Sequence, residues 1–150
     1  MDSRVTFELL QAARAYRLRS AKLLSRVGLY PGQDALLKLL NERGQLTMGE
    51  AAAALSIQPP TVTKMVNRLS VAQLVKTAVM DDDRRKIAVS LTDAARAKID
   101  EIDAIWDELE LQALEQISPQ PLRSQLSTIT KNLSRNGAAA ASNGLSRNGL

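Results

Sequence analysis

The adjacent prolines Pro59 and Pro60 constrain the chain more than any other feature. Neither fits inside a helix, where proline lacks the N–H and its ring strikes the preceding turn. Both fit a first helical turn, whose amides have no intrahelical partner in any case. A helix therefore starts at Pro59. Beyond it Val62, Met65, Val66 and Leu69 recur at i, i+3, i+4 and i+7 and share one face. The opposite face carries Pro60, Thr61, Thr63, Lys64, Asn67 and Arg68, a set of hydroxyls, an amide and cations. Such groups can meet phosphate oxygens and base edges, and the positive end of a helix dipole adds to the attraction for phosphate. An ordinary amphipathic surface helix has the same pattern, so the flanking residues must decide.

Before the prolines, Thr47 and Glu50 have capping-box spacing, and Met48, Ala51, Ala52 and Leu55 make one apolar face. The run Ala51 to Ala54 lets a second helix cross closely. Ser56, Ile57 and Gln58 are the whole connection, which is a helix-turn-helix length, although the turn lacks glycine. After the second helix come two β-type runs. Leu74, Val75, Ala78 and Val79 form one. Ile87 to Leu91 form the other, with Ile87, Val89 and Leu91 alternating. Leu46 starts a short strand that can pair with them. The connecting tip, Met80 to Lys86, is almost all charge. The whole reads as a winged helix-turn-helix. In that reading Pro60, Thr61, Thr63, Lys64, Asn67 and Arg68 face the major groove of duplex DNA. Lys64 and Arg68 supply phosphate or guanine contacts, and Asn67 bonds an adenine edge. The wing residues Asp83, Arg84, Arg85 and Lys86 approach the flanking minor groove, with Asp83 orienting a neighbouring arginine. A hairpin this charged also suits plain solvent.

The run Asp83-Arg84-Arg85 followed by Val89-Ser90-Leu91-Thr92 resembles the wing signature of the MarR family (multiple antibiotic resistance regulators). Thr61 to Leu69 resembles that family's recognition helix, and Gly28 to Gln33 resembles the segment joining its first two helices. In element order the resemblance covers about residues 5–133, with the sharp motif inside 46–92. The chain departs from the family pattern at Gln73, usually glycine, at Thr77, usually arginine, and around Ala94 and Ala95, where a glycine is missing. The resemblance implies a transcription regulator, most often a repressor. It also implies an intertwined homodimer built from the first and last helices. A small-molecule pocket would lie where those helices meet the winged part, with DNA release when it fills. Tyr16, Tyr30 and Trp106 are the candidate pocket residues for a small aromatic or phenolic effector, though core packing explains them equally well.

Composition closes several alternatives. The chain of 150 residues has no cysteine and no histidine. Disulfides, thiolate metal sites, His-ligated zinc, Ser–His catalysis and histidine general bases are therefore impossible. The absence of cysteine also removes the peroxide-sensing branch that the resemblance would leave open. No enzyme activity, metal or cofactor is expected. No stretch approaches the roughly 20 apolar residues of a membrane span, and the N-terminus lacks a secretory pattern, so a cytoplasmic location is expected. The net charge of +4 is unevenly spread. Residues 1–30 carry six basic and two acidic groups, whereas residues 93–117 carry two basic and eight acidic. Phosphate would repel the acidic segment, which should lie away from DNA.

In chain order, Thr6 to Val27 is a helical pattern ended by Gly28. Its arginines and lysine either reach phosphate or pair with the acidic helix, unless they are merely solvated. Pro31 to Arg43 is a second helix. Thr92 is expected to cap a helix running to about Ile117, with Ile99, Ile102, Ile105, Trp106, Leu109, Ala113 and Ile117 in one stripe. Ser118-Pro119 then opens a last helix with Leu122, Leu126, Ile129 and Leu133 in another stripe. The expected architecture is mainly α with a small β wing. Helical dimerisation regions at 1–30 and 93–133 flank a DNA-binding domain at 31–92, and a flexible low-complexity tail occupies 134–150. Leu9, Tyr16, Leu122, Leu126, Ile129 and Leu133 are the dimerisation candidates. A dimer would match its two-fold axis to a palindromic operator on double-stranded DNA. The rival reading is a winged-helix protein-interaction module with no DNA partner.

Overall fold

The computed structural model describes residues 4–145. The elements are α1 (Val5–Leu24) with a 3-10 turn Ser25–Val27, α2 (Gln33–Arg43), β1 (Gln45–Thr47), α3 (Met48–Leu55), α4 (Pro59–Val71), β2 (Val75–Val79), β3 (Ile87–Leu91), α5 (Ala95–Ala113) and α6 (Pro119–Leu145). Residues up to Glu110 group into one compact unit, and residues from Leu111 onward into a second. No helix among the described residues is long and apolar enough to cross a membrane.

In the first unit a single core joins Leu23 and Leu24 of α1, Leu36, Leu37 and Leu40 of α2, Val62, Val66 and Leu69 of α4, Val89 of β3, and Ile99, Ile102, Ile105 and Leu109 of α5. The winged part thus shares its core with α1 and most of α5. The basic face of α1 pairs with acidic α5 through Arg19 and Arg26, whose guanidinium nitrogens lie 3.7 and 3.2 Å from the Glu108 carboxylate. The Lys98 ammonium donates to the Val27 carbonyl at 2.7 Å and satisfies one carbonyl at the end of the 3-10 turn.

The wing is a three-stranded antiparallel sheet in the order β1-β3-β2. Leu46 pairs with Val89, which makes β3 the central strand. Ile87, Val89 and Leu91 do not share a buried face as their alternation suggests. Val89 is fully buried, but Ile87 is 42% exposed toward the tip. Ala88 is buried instead, flanked by Thr47 on one side and Ala78 on the other.

Two expected helix boundaries change. Thr92 does not cap α5 with its side chain. Its hydroxyl donates to the Gln73 carbonyl at 2.6 Å, and its amide donates to the Leu74 carbonyl at 3.1 Å. It therefore ties the base of the wing to the end of α4. Helix α5 stops at Ala113, and Gln116 takes a positive φ of 62°, so Ile117 lies in the connection and is 48% exposed. In the second unit, α6 continues to Leu145, so residues 134–145 of the expected flexible tail are helical. Ala138 to Ala141 are the strongest helix formers, and adding residues to an existing helix escapes the cost of nucleation. Residues 146–150 lie outside the described residues.

Helix α4 ends in a Schellman motif. The Gln73 amide donates to Ser70 O and the Leu74 amide to Leu69 O, both at 2.9 Å, with Gln73 at φ 60°. A side chain in this left-handed conformation costs about 1–2 kcal/mol, while glycine's extra freedom in the unfolded chain returns part of that gain. Gln73→Gly is expected to stabilise the protein by about 0.5–1 kcal/mol, read as a higher urea midpoint with an unchanged slope. A lower midpoint would show that the left-handed position carries no strain.

Candidate nucleic-acid interface

The site is assembled by the α3–α4 pair. Thr47 caps α3 reciprocally. Its hydroxyl accepts from the Glu50 amide at 3.2 Å, and the Glu50 carboxylate accepts from the Thr47 amide at 2.7 Å. Those bonds hold the Glu50 carboxyl below its ordinary value, helped by Lys86 and Arg43. Ala51 and Ala52, at 0% and 5% exposure, give the small surface that α4 crosses. The glycine-free turn works because Ser56 adopts φ 54°. The Ser56 amide donates to Ala53 O and the Ile57 amide to Ala52 O.

On this support α4 buries Val62, Val66 and Leu69. Pro60, Thr61, Thr63, Lys64, Asn67 and Arg68 are all exposed on the other side. The Thr63 hydroxyl donates to the Pro59 carbonyl at 3.2 Å, which fixes its rotamer. Among the described residues, no side chain pairs with Lys64, Asn67 or Arg68. They are polar groups on the outer face of a helix whose inner face lies in the core.

At the wing tip Asp83 is partly buried while Arg84, Arg85 and Lys86 are exposed. The Asp83 carboxylate accepts from the Arg85 amide at 3.0 Å and lies 3.5 Å from the Arg85 Nε. The Met80 amide donates to Lys86 O and the Lys86 amide to Asp83 O, both at 3.0 Å. Asp83 therefore shapes the tip and braces Arg85, whose side chain is 93% exposed.

The three aromatic candidates separate. Tyr16 and Trp106 share a cleft of about 480 Å³ with Arg14, Arg17, Ser20 and Asp34. Tyr30 is not among its lining residues. It lies in a smaller concavity with Thr61, Lys64, Met65 and Arg68, because the turn carrying it packs on α4. Asp34 organises the cleft. Its carboxylate accepts from Trp106 Nε1 and from the Gly32 amide, each at 2.9 Å. Lys38 lies over the Trp106 ring at 5.8 Å and is ion-paired with Asp103. Burial first, then the Asp34 and Glu110 carboxylates, push the Tyr16 phenol above its ordinary value, so at neutral pH it is a neutral donor. The sequence does not single out Asp34, Arg14 or Arg17 as cleft residues; it offers the two arginines only as cations for phosphate or for the acidic helix. An acidic residue in the first turn of a helix was the available signal for Asp34. Of the dimerisation candidates, Leu9, Leu122 and Ile129 are half-buried. Tyr16, Leu126 and Leu133 are 51%, 41% and 67% exposed.

A family model described as the MarR family matches residues 29–87. YwoH of Bacillus subtilis, named an uncharacterized HTH-type transcriptional regulator, is 32% identical over 96 residues, 64% of this chain and 69% of its own length. The chain belongs to the MarR family. It is also 33% identical over 79 residues to MdtR of Bacillus subtilis, an HTH-type transcriptional repressor, covering 53% of this chain and 51% of MdtR. In fold it is similar to Bordetella bronchiseptica BpsR, whose DNA binding is regulated by 6-hydroxynicotinic acid. That structure aligns with a TM-score of 0.78 at 21% identity, over 88% of this chain and 94% of BpsR. MarR-family proteins are DNA-binding transcriptional regulators and not enzymes. The winged helix-turn-helix of this member follows their architecture, with Gln73 in the left-handed region at the end of α4.

Proposed function

We propose that this MarR-family regulator is a repressor that binds a palindromic operator as a homodimer, and that a small aromatic acid releases it. The observation that carries the reading is the exposed set Lys64, Asn67 and Arg68 on α4, without a side-chain partner among the described residues, together with the braced Arg85 of the wing. In each half-site Pro60, Thr61, Thr63, Lys64, Asn67 and Arg68 face the major groove. Arg84, Arg85 and Lys86 approach the minor groove, and Asp83 fixes the angle of Arg85. The repressor role is supported by the likeness to MdtR. The dimer is supported by leucines on α6 that the chain itself leaves exposed. A cytoplasmic location suits a protein that must reach chromosomal DNA.

The effector would occupy the Tyr16–Trp106 cleft. Arg14 and Arg17 at its wall suit a carboxylate, and the two rings suit a planar body. The effector of BpsR is a ligand of this kind. Trp106 is the only tryptophan, so its fluorescence, titrated with 6-hydroxynicotinic acid and related aromatic acids, reports the site directly. A flat response to all of them removes the effector from the reading.

Selection of bound duplexes from a random pool tests the central claim. A recovered palindrome supports it, and a pool with no enrichment rejects it. Arg85→Ala is expected to weaken binding to that palindrome by about fivefold or more, with the oligomeric state unchanged. The loss corresponds to about 1 kcal/mol or more for one cation at the groove. Equal mobility-shift midpoints for the variant and the parent would remove Arg85 from the interface. A protein-interaction module would show no steep fall of duplex affinity with salt, because it releases no counterions.

A further inference from the structure

Tyr30 is an exposed aromatic ring on a tightly held turn. Gly28 and Gly32 bracket that turn with φ of 72° and 97°, and Leu29 between them is buried. The Tyr30 amide donates to the Gln33 side-chain oxygen, and the Gln33 amide donates to the Tyr30 carbonyl, both at 3.0 Å. Gln33 is only 5% exposed, so these bonds are partly shielded from water. A Cβ on Gly32 would stand 3.5 Å from the thioether of Met65, so the turn rests on α4. Yet Tyr30 is 66% exposed, and among the described residues its hydroxyl has no partner. Its neighbours across the concavity are Thr61, Lys64 and Arg68.

We propose that the Tyr30 hydroxyl donates a hydrogen bond to a DNA backbone phosphate at the edge of the groove that α4 enters. The proposal rests on the reading of α4 as the DNA-facing helix. Lys64 and Arg68 line this concavity, and the Tyr30 hydroxyl adds a further donor there. Because the turn is already rigid, the contact orders only the ring. A residue contributed by a neighbouring element reaches the strand bordering the groove, whereas base edges are left to the side chains of α4 itself. The effector cleft does not account for Tyr30, since that cleft is lined by Tyr16, Asp34 and Trp106 on the other side of the turn.

The test is Tyr30→Phe, with Tyr30→Ala as a second variant. Each is measured by fluorescence anisotropy on a labelled duplex of scrambled sequence and on the palindrome recovered by selection. Loss of the hydroxyl is expected to weaken binding about three- to tenfold, and by the same factor on both duplexes, since a phosphate contact carries no sequence information. The slope of affinity against salt should not change, because no charge is removed. Tyr30→Ala should bind no tighter than Tyr30→Phe. Binding by Tyr30→Phe within twofold of wild type on both duplexes would overturn the proposal, and so would a loss confined to the palindrome. If wild-type protein itself shows no salt-dependent duplex binding, the DNA-binding reading fails first and takes this contact with it. Failure of Tyr30 alone leaves that reading standing.

Discussion

Leu126→Asp combined with Leu133→Asp is expected to leave a folded monomer whose operator affinity is lower by a factor of about 10² to 10⁴. Neither side chain is buried in the chain, at 41% and 67% exposure, so aspartate at either position displaces no core contact. In a homodimer built on α6 the same positions would be covered. Each protomer would then place two carboxylates in an apolar interface, at several kcal/mol apiece. Two exposed leucines about two turns apart on one face of a helix, with the half-buried Ile129 between them, are more than scattered surface apolarity explains. The effect on DNA follows from geometry. When one half-site is bound, the linked recognition helix meets the second half-site at a high effective concentration, and a monomer loses that gain. The salt slope should fall to about half, since half the phosphates are contacted. Sedimentation gives the oligomeric state, and circular dichroism confirms that the helices persist. A double variant that still sediments as a dimer would move the interface away from α6.

The parts of the fold that local chemistry dictates were legible in the sequence. Pro59-Pro60 set the start of α4, and its buried side then followed from the spacing of Val62, Val66 and Leu69. Thr47 with Glu50 set the start of α3 as a capping box, and Leu46 marked the strand that pairs with the wing. What was not legible depends on partners distant in sequence. Thr92 looked like a helix cap because nothing near it reveals the Gln73 carbonyl, which accepts its proton across the base of the wing. Tyr30 was grouped with Tyr16 and Trp106 because they are all aromatic, and only the packing of Gly32 on Met65 places it beside α4. Glycine, asparagine and serine in residues 134–150 point to a flexible tail, whereas four consecutive alanines favour the helix that carries α6 to Leu145. At the site, the exposed face of α4 is readable from the pattern, because a helix face is a local property. The cleft was found only in part, since Asp34 matters through a bond to a tryptophan on another helix.

That bond leads to the other large effect. Asp34→Ala is expected to destabilise the protein by about 2–4 kcal/mol, because it strands two donors at once. Asp34 is 7% exposed, and its two oxygens divide their work between the Trp106 indole and the Gly32 amide, each at 2.9 Å. In alanine neither donor has an acceptor, and a small void replaces the carboxylate. For a chain of this size the loss corresponds to a melting temperature lower by about 5–15 °C at fixed protein concentration. Asp34→Asn keeps the shape but must turn its NH2 toward one of the two donors, so it should recover only part of the loss. A double-mutant cycle with Trp106→Phe separates the indole bond from the rest. The coupling is expected to be about 1–2 kcal/mol, because both changes remove the same contact. The Tyr16 phenol gives an independent readout. The Asp34 carboxylate is one of the causes that raise its pKa, so removing that charge should bring the value down toward that of free tyrosine. A phenol that titrates unchanged in Asp34→Ala, together with stability within 1 kcal/mol of the parent, would mean that Asp34 does not hold α2 and α5 together. If it does hold them, an effector whose own acceptor reached the indole N–H would compete with this carboxylate. Ligand binding and the position of the turn that carries Tyr30 would then be linked through one side chain.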